Sequence, residues 1–445
     1  MALGPRPSLL RPLPLLAALA LFAVITALTP LRALDLDVYL AAAERVFVLG
    51  TEPYTRPGDA GLPFTYPPTA LFLLQPLAGL SSAAASALLW SVNIALALVL
   101  MLLLPRDLAR GGASADAALA GRRLATWGPL YVAGFGAVYL TIHFQQTNLL
   151  LLLCLWGYWR IARAPSGPGA AGGLAGGAAL ALGSVAKPHY GLLVVAAFGC
   201  LGRRASGGGW RAGPGAWLLA GAALAGAALL GLSVALAPAS SWSAWWALVP
   251  GTTSFTELPP GHSSIAAPWN RSLAGELSRW LVPNKFTAPV VASPELAALF
   301  ATGLVLALGL ITGWAVTRSL RARRCGQTLD QPVAVDLELS LLSVWVFLAA
   351  PASWTHHLVM LLPAALVLLR DGVLHARADA VGRLAAGLVL AVLALTLDDL
   401  IPREVRTDSR AIMALMTVAV LGLWALLLER LVRHTAARRR AAAEP

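Results

Sequence analysis

Charge is what this 445-residue chain most lacks. Only 12% of its residues are Asp, Glu, Lys or Arg, about half the fraction of an ordinary soluble domain. Lysine is reduced to two positions, Lys187 and Lys285. With 58% apolar residues and a mean hydropathy of +0.72, this scarcity excludes a soluble globular enzyme. Apolar windows of roughly 20 residues recur from end to end, as expected for helices that cross a bilayer. Cysteine is scarce too. Cys154, Cys200 and Cys325 have neither the even count of a disulfide framework nor metal-ligand spacing, and read as buried or cytosolic thiols. No clear cleavage site follows the apolar run after Arg6 and Arg11, so that run is expected to remain as a first helix. Repeats between the halves are also missing, and span interiors carry almost no ionisable residues, with Asp336, Glu338, Arg410 and Glu429 at edges. Both absences argue against a transporter or flippase, the less favoured alternative function.

What is present is a series of apolar stretches at roughly 12–32, 82–104, 124–142, 146–160, 171–186, 189–202, 213–237, 296–318, 336–350, 355–369, 381–397 and 411–429. Several are short for a full crossing, so tilt, thinning or broken helices are expected. The stretch 65–80 is apolar but opens on two prolines, and is read as dipping without crossing. On that assumption roughly two-thirds of the 33 Lys and Arg residues fall on one side together with both termini, which the positive-inside rule makes cytoplasmic. The net charge of +12 is then a topology signal and calls for no nucleic-acid partner. The expected fold is an all-α polytopic membrane protein of about 12 transmembrane helices. It divides into an N-terminal module 1–237 with a juxtamembrane helix 36–49, an outer Trp-rich loop 238–295, and C-terminal helices with a basic tail, 296–445.

This orientation gathers the polar motifs on the outer face: "DLDVY" (35–39), "FTYPP" (64–68), "HFQQTN" (143–148), "KPHY" (187–190), the loop 238–295, "ASWTHH" (352–357) and "DDLIPREVR" (398–406). After Asp35 the apolar residues Leu36, Tyr39, Leu40, Ala43, Val46 and Phe47 follow helical spacing, while Asp37, Ala41, Glu44 and Val48 share the other side. The pattern predicts a surface helix ending at Gly50. Consecutive residues turn about 100°, so Asp35 and Asp37 point some 200° apart and only one can enter a site. Asp37 goes with water. Asp35, at the helix start, can cap backbone N–H groups, act as a general base toward a hydroxyl, or do both.

The other motifs also have plain readings. Tyr66 and its prolines make a bend. His143, Gln146 and Asn148 form a tight turn whose amides also suit sugar hydroxyls, and Lys187 is a snorkelling cation or a phosphate ligand. Trp242, Trp245, Trp246, Trp269 and Trp280 are interfacial anchors, with one or two free to stack on a sugar. "NRS" (270–272) matches a glycosylation acceptor triplet. The paired His356 and His357 suit a phosphate oxygen at a helix start better than a metal, whose third ligand Asp35 or His143 could supply although spacing does not demand it. No metal or cofactor is expected.

Taken in order, "DLDVY", "LPFTYPP", "QTNLLLLLCLW", "WNRSLAGEL" and "SWTHHLVMLLP" resemble the motifs of the actinobacterial polyprenol-phosphate-mannose-dependent α-mannosyltransferases, glycosyltransferase family 87 of the GT-C fold, over roughly residues 33–370. The resemblance implies that Asp35 is the catalytic base and that His356 or His357 contacts the donor phosphate. Lys187, Arg271 and Arg403 are further phosphate candidates. Tyr66, His143, Gln146, Asn148, Trp269 and Asn270 are candidates for acceptor or sugar contacts. Gln145 stands where the family pattern has Gly, and Arg271 where it has Gln. The implied reaction moves mannose, with inversion, from a polyprenyl-phosphate donor to a phosphoglycolipid such as a phosphatidylinositol mannoside, at the outer face of the plasma membrane among its lipids. Polyprenyl-phosphate arabinofuranose, or a glycan acceptor, is the alternative within the same chemistry.

Overall fold

The computed structural model describes residues 12–32, 34–54, 62–111, 114–164, 169–200, 202–204, 210–256, 258, 261–324, 331–376, 378–396 and 409–441. Helices run in the order α1 (Leu13–Leu28), α2 (Leu34–Phe47), α3 (Leu71–Leu74), α4 (Ser82–Ala109), α5 (Ala115–Ala133), α6 (Gly136–His143), α7 (Asn148–Ala162) and α8 (Ala170–Ser184). A 3₁₀ run, Pro188–Cys200, and a two-stranded antiparallel ribbon, β1 (Gly202–Arg204) with β2 (Trp210–Ala212), follow. The second half holds α9 (Pro214–Leu236), α10 (Ser240–Thr252), α11 (Leu273–Leu281), α12 (Pro294–Arg324), α13 (Gln331–Ala349), α14 (Leu362–Leu368), α15 (Ala380–Leu395) and α16 (Arg410–Ala441).

Six described helices are long and apolar enough to cross a membrane: Ser82–Ala109, Gly215–Leu236, Pro294–Ala322, Gln331–Ala349, Thr355–Val373 and Arg410–Ala437. Four other expected spans appear as shorter apolar helices, α1, α7, α8 and α15, and the stretch 189–202 is largely the 3₁₀ run. The stretch 124–142 is broken. Gly134 closes α5 by returning its N–H to the Leu130 carbonyl, and α6 starts two residues later. Elements this short reach across a bilayer only where it thins locally or flanking residues snorkel.

Two elements form the centre. The windows of Gln331–Ala349 and Thr355–Val373 are 78% buried, against 17% for those of α9 and α12, whose apolar side chains face outward. Helices apolar all round belong in such a core or in lipid. Because lipid is as apolar as leucine, helix pairs in a bilayer associate through close packing and polar contacts. The pair α8–α9 packs backbone on backbone: a Cβ on Gly177 would lie 2.1 Å from the Leu218 carbonyl oxygen, and one on Gly221 2.2 Å from that of Leu174. Gly177→Leu is therefore expected to cost about 1–3 kcal/mol through forced separation, read as a lowered thermal midpoint in detergent. Gly226→Leu, where a Cβ meets nothing within 4 Å, should leave the midpoint unchanged.

A second tie is ionic. Asp336, fully buried near the start of α13, forms ion pairs with Arg163 (Nε, 2.7 Å) and Arg370 (2.7 Å) and accepts from the indole N–H of Trp159 (2.8 Å). Arg163 also donates to the carbonyls of Asp107 (2.5 Å) and Arg110 (2.8 Å), while Arg370 donates to the Leu108 carbonyl (2.8 Å) and forks onto Asp371 (2.7 and 2.9 Å). The cluster lies where α4 and α7 end and α13 begins. The 15 residues of α7 put it about 22 Å from the turn that opens that helix.

Candidate functional site

At the other end of α7 the separated polar motifs meet. Helix α2 has the expected sidedness: Leu36, Tyr39, Ala43 and Val46 are buried, whereas Asp37, Ala41 and Glu44 are exposed. It closes before Gly50, whose φ of +65° suits glycine. The link from α1 is pinned by the Arg32 N–H donating to the His143 carbonyl (2.9 Å) and by the His143 ring bonding the Pro30 carbonyl. Asp35 therefore sits in the first turn of α2, half-buried, against the 143–148 turn.

That turn is built to present Gln146. Gln145 takes a left-handed φ of +55°, a region unfavourable to residues with a Cβ. Two bonds hold it there, its amide donating to Ser86 Oγ (2.6 Å) and the Ser86 carbonyl (3.3 Å). Asn93 of α4 donates to the Gln146 carbonyl (3.0 Å). The Gln146 side chain lies close enough to Asp35 to favour its ionised form, and its Oε1 accepts from Asn148 Nδ2 (3.2 Å).

Lys187 follows α8 and is nearly fully buried. Its Nζ lies 2.7 Å from His357 Nε2 and 5.6 Å from the centre of the Tyr66 ring. The Tyr66 hydroxyl stands 3.5 Å from that of Tyr39, and the Tyr54 hydroxyl donates to the Tyr66 carbonyl (3.0 Å). The Thr69 hydroxyl fastens this segment to the Lys187 turn through the Val185 carbonyl (2.7 Å). His356 stacks edge-on against His357, ring centres 4.5 Å apart.

Burial dominates the electrostatics here. It pushes the Asp35 carboxyl up to about 6 against the opposing effects of the Gln146 bond and the Lys187 charge. It lowers Lys187 to about 7, Asp35 acting the other way. Burial also raises the Tyr39 and Tyr66 hydroxyls above the ordinary tyrosine value, so they remain protonated. A carboxyl shifted up and an amine shifted down thus lie within reach of each other's charge. Among the described residues no three His, Cys, Asp or Glu side chains are grouped to hold a metal ion.

The remaining candidates have structural partners. Residues 269–272 pair with 353–355: Asn270 bridges Trp354 antiparallel, the Arg271 N–H donates to the Ser353 carbonyl (2.7 Å), and the Thr355 N–H donates to the Trp269 carbonyl (2.9 Å). The buried Arg271 side chain donates to Thr355 Oγ1 (3.1 Å) and the Met413 carbonyl (3.0 Å), one residue from the histidine pair. Asn270 is fully buried and donates to the carbonyls of Ile265 and Pro351, both at 2.9 Å, so the glycosylation triplet has no accessible amide. The Trp269 ring is partly exposed and packs on Phe286. Arg403 lies outside the described residues. Sequence reading passed over Tyr39, taken only as an apolar-face residue, and Asn93, whose signal was a lone amide within an apolar span. It also passed over His189, two residues from Lys187, whose ring packs against that of Tyr190 at 4.9 Å.

Comparison with known proteins gives the family. Residues 64–335 match glycosyltransferase family 87, a stretch that contains the Gln146 turn and Lys187 and to which Asp35 and the histidines attach. The chain is 28% identical over 350 residues, 76% of its length and 70% of the relative's, to the polyprenol-phosphate-mannose-dependent alpha-(1-2)-phosphatidylinositol mannoside mannosyltransferase of Mycobacterium tuberculosis. No solved structure gives a significant match. With the family match covering more than half of the chain, this apolar-helix protein belongs to glycosyltransferase family 87 and is a membrane-embedded glycosyltransferase.

Proposed function

We propose that the protein transfers a mannosyl group from polyprenyl-phosphate mannose to a hydroxyl of a phosphoglycolipid such as a phosphatidylinositol mannoside, with Asp35 as the general base. The observation that carries this reading is the meeting of one half-buried carboxyl, Asp35, with one buried amine, Lys187, bonded to His357, at a single end of the bundle. The acceptor hydroxyl gives its proton to Asp35 as its oxygen bonds to the anomeric carbon. The bond from that carbon to the phosphate oxygen breaks, and the monophosphate leaves toward Lys187 and His357. Attack opposite the leaving group inverts the carbon. Holding departing negative charge with a positioned cation, away from bulk water, is a large share of such catalysis.

In this proposal the chain has the GT-C arrangement with about 12 crossings, counting the shorter apolar helices, and the 238–295 segment forms an outer layer between the two helical modules. The Asp35 end faces outward from the plasma membrane and the Asp336 cluster faces the cytoplasm with both termini. The name of the mycobacterial relative supports the donor and acceptor classes.

The test is transfer by purified protein in detergent, offered polyprenyl-phosphate mannose or polyprenyl-phosphate arabinofuranose with a phosphatidylinositol mannoside acceptor. Product from mannose alone is expected, and product from arabinofuranose alone would overturn the donor assignment. The pH profile of kcat/KM is a second check. The base works ionised, so rate rises as pH passes about 6. The leaving phosphate needs charged Lys187, so rate falls as pH passes about 7. A narrow bell between those values is expected, and Lys187→Arg, which stays charged, should lose the alkaline fall.

A further inference from the structure

Lys187 is 4% exposed, and among the described residues it makes no ion pair. Its Nζ has one hydrogen-bond partner there, His357 Nε2 at 2.7 Å. The direction of that bond is set on the far side of the ring. His357 Nδ1 accepts from the Trp354 backbone N–H (3.3 Å), because the turn Thr355–Leu361 starts with His357 reaching back to its cap residue. A neutral imidazole has one N–H and one acceptor nitrogen. With Nδ1 accepting, the ring proton is on Nε2, and Nε2–H donates to Nζ. Only a free amine can receive it, since an ammonium has three donors and no acceptor. A charged Lys187 donating to Nε2 would move the ring proton to Nδ1, against the Trp354 N–H. An imidazolium meets the same clash, having an N–H on both nitrogens. The arrangement is therefore that of an uncharged Lys187 with its lone pair occupied.

We infer that His357, as a positioning residue, is a tautomer lock that keeps Lys187 uncharged until the donor arrives, so that binding the donor phosphate takes up one proton from solvent. This rests on the donor phosphate sitting against Lys187, as proposed above. That phosphate is a diester, with one negative charge and no proton to give near neutrality. The incoming proton binds the Nζ lone pair, the bond from Nε2–H is released, and the ammonium turns its N–H groups to the phosphate oxygens. His357 stays neutral and fixed to Trp354. A buried ammonium without a counter-charge is unfavourable, and the phosphate supplies that charge. The other groups facing Lys187 are Asp35 of α2, within reach of its charge, and the Tyr66 ring from the segment before α3, 5.6 Å away. His356 stands beside His357 with ring centres 4.5 Å apart, and His189 lies two residues along the chain from Lys187. Burial draws the amine down to about 7, in keeping with a free amine above that pH.

The experiment is calorimetric titration of purified full-length protein in detergent with short-chain polyprenyl-phosphate mannose, without acceptor, in buffers of different ionisation enthalpy. The slope of binding heat against ionisation enthalpy counts the protons exchanged. Near pH 8 the wild type is expected to take up about one proton per donor, and its Kd to rise about tenfold per pH unit above that. Lys187→Arg is charged at any working pH and should take up none. In His357→Gln the side-chain oxygen can accept from a charged Lys187, so uptake should fall toward zero and Kd should change less than about threefold per pH unit. Asp35→Asn should keep the uptake, and its loss there would assign the proton to the carboxyl and overturn the lock. Uptake that persists in Lys187→Arg or is undiminished in His357→Gln would overturn it as well. Should His357→Gln fail to give monodisperse protein, the wild type and Lys187→Arg decide by the same slope. Donor binding without proton uptake refutes the lock and leaves the donor reading standing. No donor binding in the wild type refutes the donor reading, and the lock with it.

Discussion

Asp35→Asn is expected to lower kcat by about a hundred- to ten-thousand-fold, the range that a positioned general base contributes. The substitution keeps the size of the side chain and its place in the first turn of α2. It removes only the ability to accept the acceptor's proton, so the donor KM should stay within about twofold of the wild type. Asp37→Asn is the matched control. Asp37 lies two residues on and is exposed on the opposite side of the helix, and its replacement should leave turnover unchanged. Turnover of Asp35→Asn within about threefold of wild type would remove the carboxyl from the mechanism.

Asp336→Asn should be the most destabilising of the conservative changes. It leaves the buried guanidinium groups of Arg163 and Arg370 facing a neutral amide where each had a carboxylate oxygen at 2.7 Å. Breaking one partner out of a buried ion cluster costs about 3–5 kcal/mol, because the uncompensated charge remains behind. The thermal midpoint in detergent and the yield of monodisperse protein report it. Replacing the three together, Asp336→Leu with Arg163→Met and Arg370→Met, is expected to recover much of that loss, since apolar groups of similar volume need no counter-charge.

The sequence showed most clearly what depends on local periodicity. The alternation from Leu36 to Phe47 predicted a one-sided helix and separated Asp35 from Asp37, and the structure has that helix with those exposures. Charge bias over the loops sorted the motifs into two groups. Asp35, Tyr66, Gln146, Lys187 and His357 meet at one end of α7, while Asp107, Arg163 and Arg370 meet at the other.

What depends on contacts across long separations was not visible. Asn270 and Arg271 are polar residues in an outer segment and looked available to a ligand, yet both fold onto the 351–355 turn some 80 residues away. Asp336 looked like the edge of a span because Arg163 and Trp159 lie more than 170 residues earlier. The shortness of α6 and the 3₁₀ course of Pro188–Cys200 were equally hidden. Both segments are apolar, and hydropathy does not distinguish a tight helix from a wide one.

The ionic cluster also sets an order of biogenesis. Arg163 enters the membrane-inserting chain long before Asp336 is made, and Arg370 comes later still. Until α13 emerges from the ribosome, Arg163 lacks the carboxylate it pairs with in the folded chain, and the nearby Asp107 has its salt bridges to Arg110 and Arg160. Domains form as their contacts become available during synthesis. The first half of this transferase should therefore wait, inserted but unlocked, for a single acidic side chain from the second.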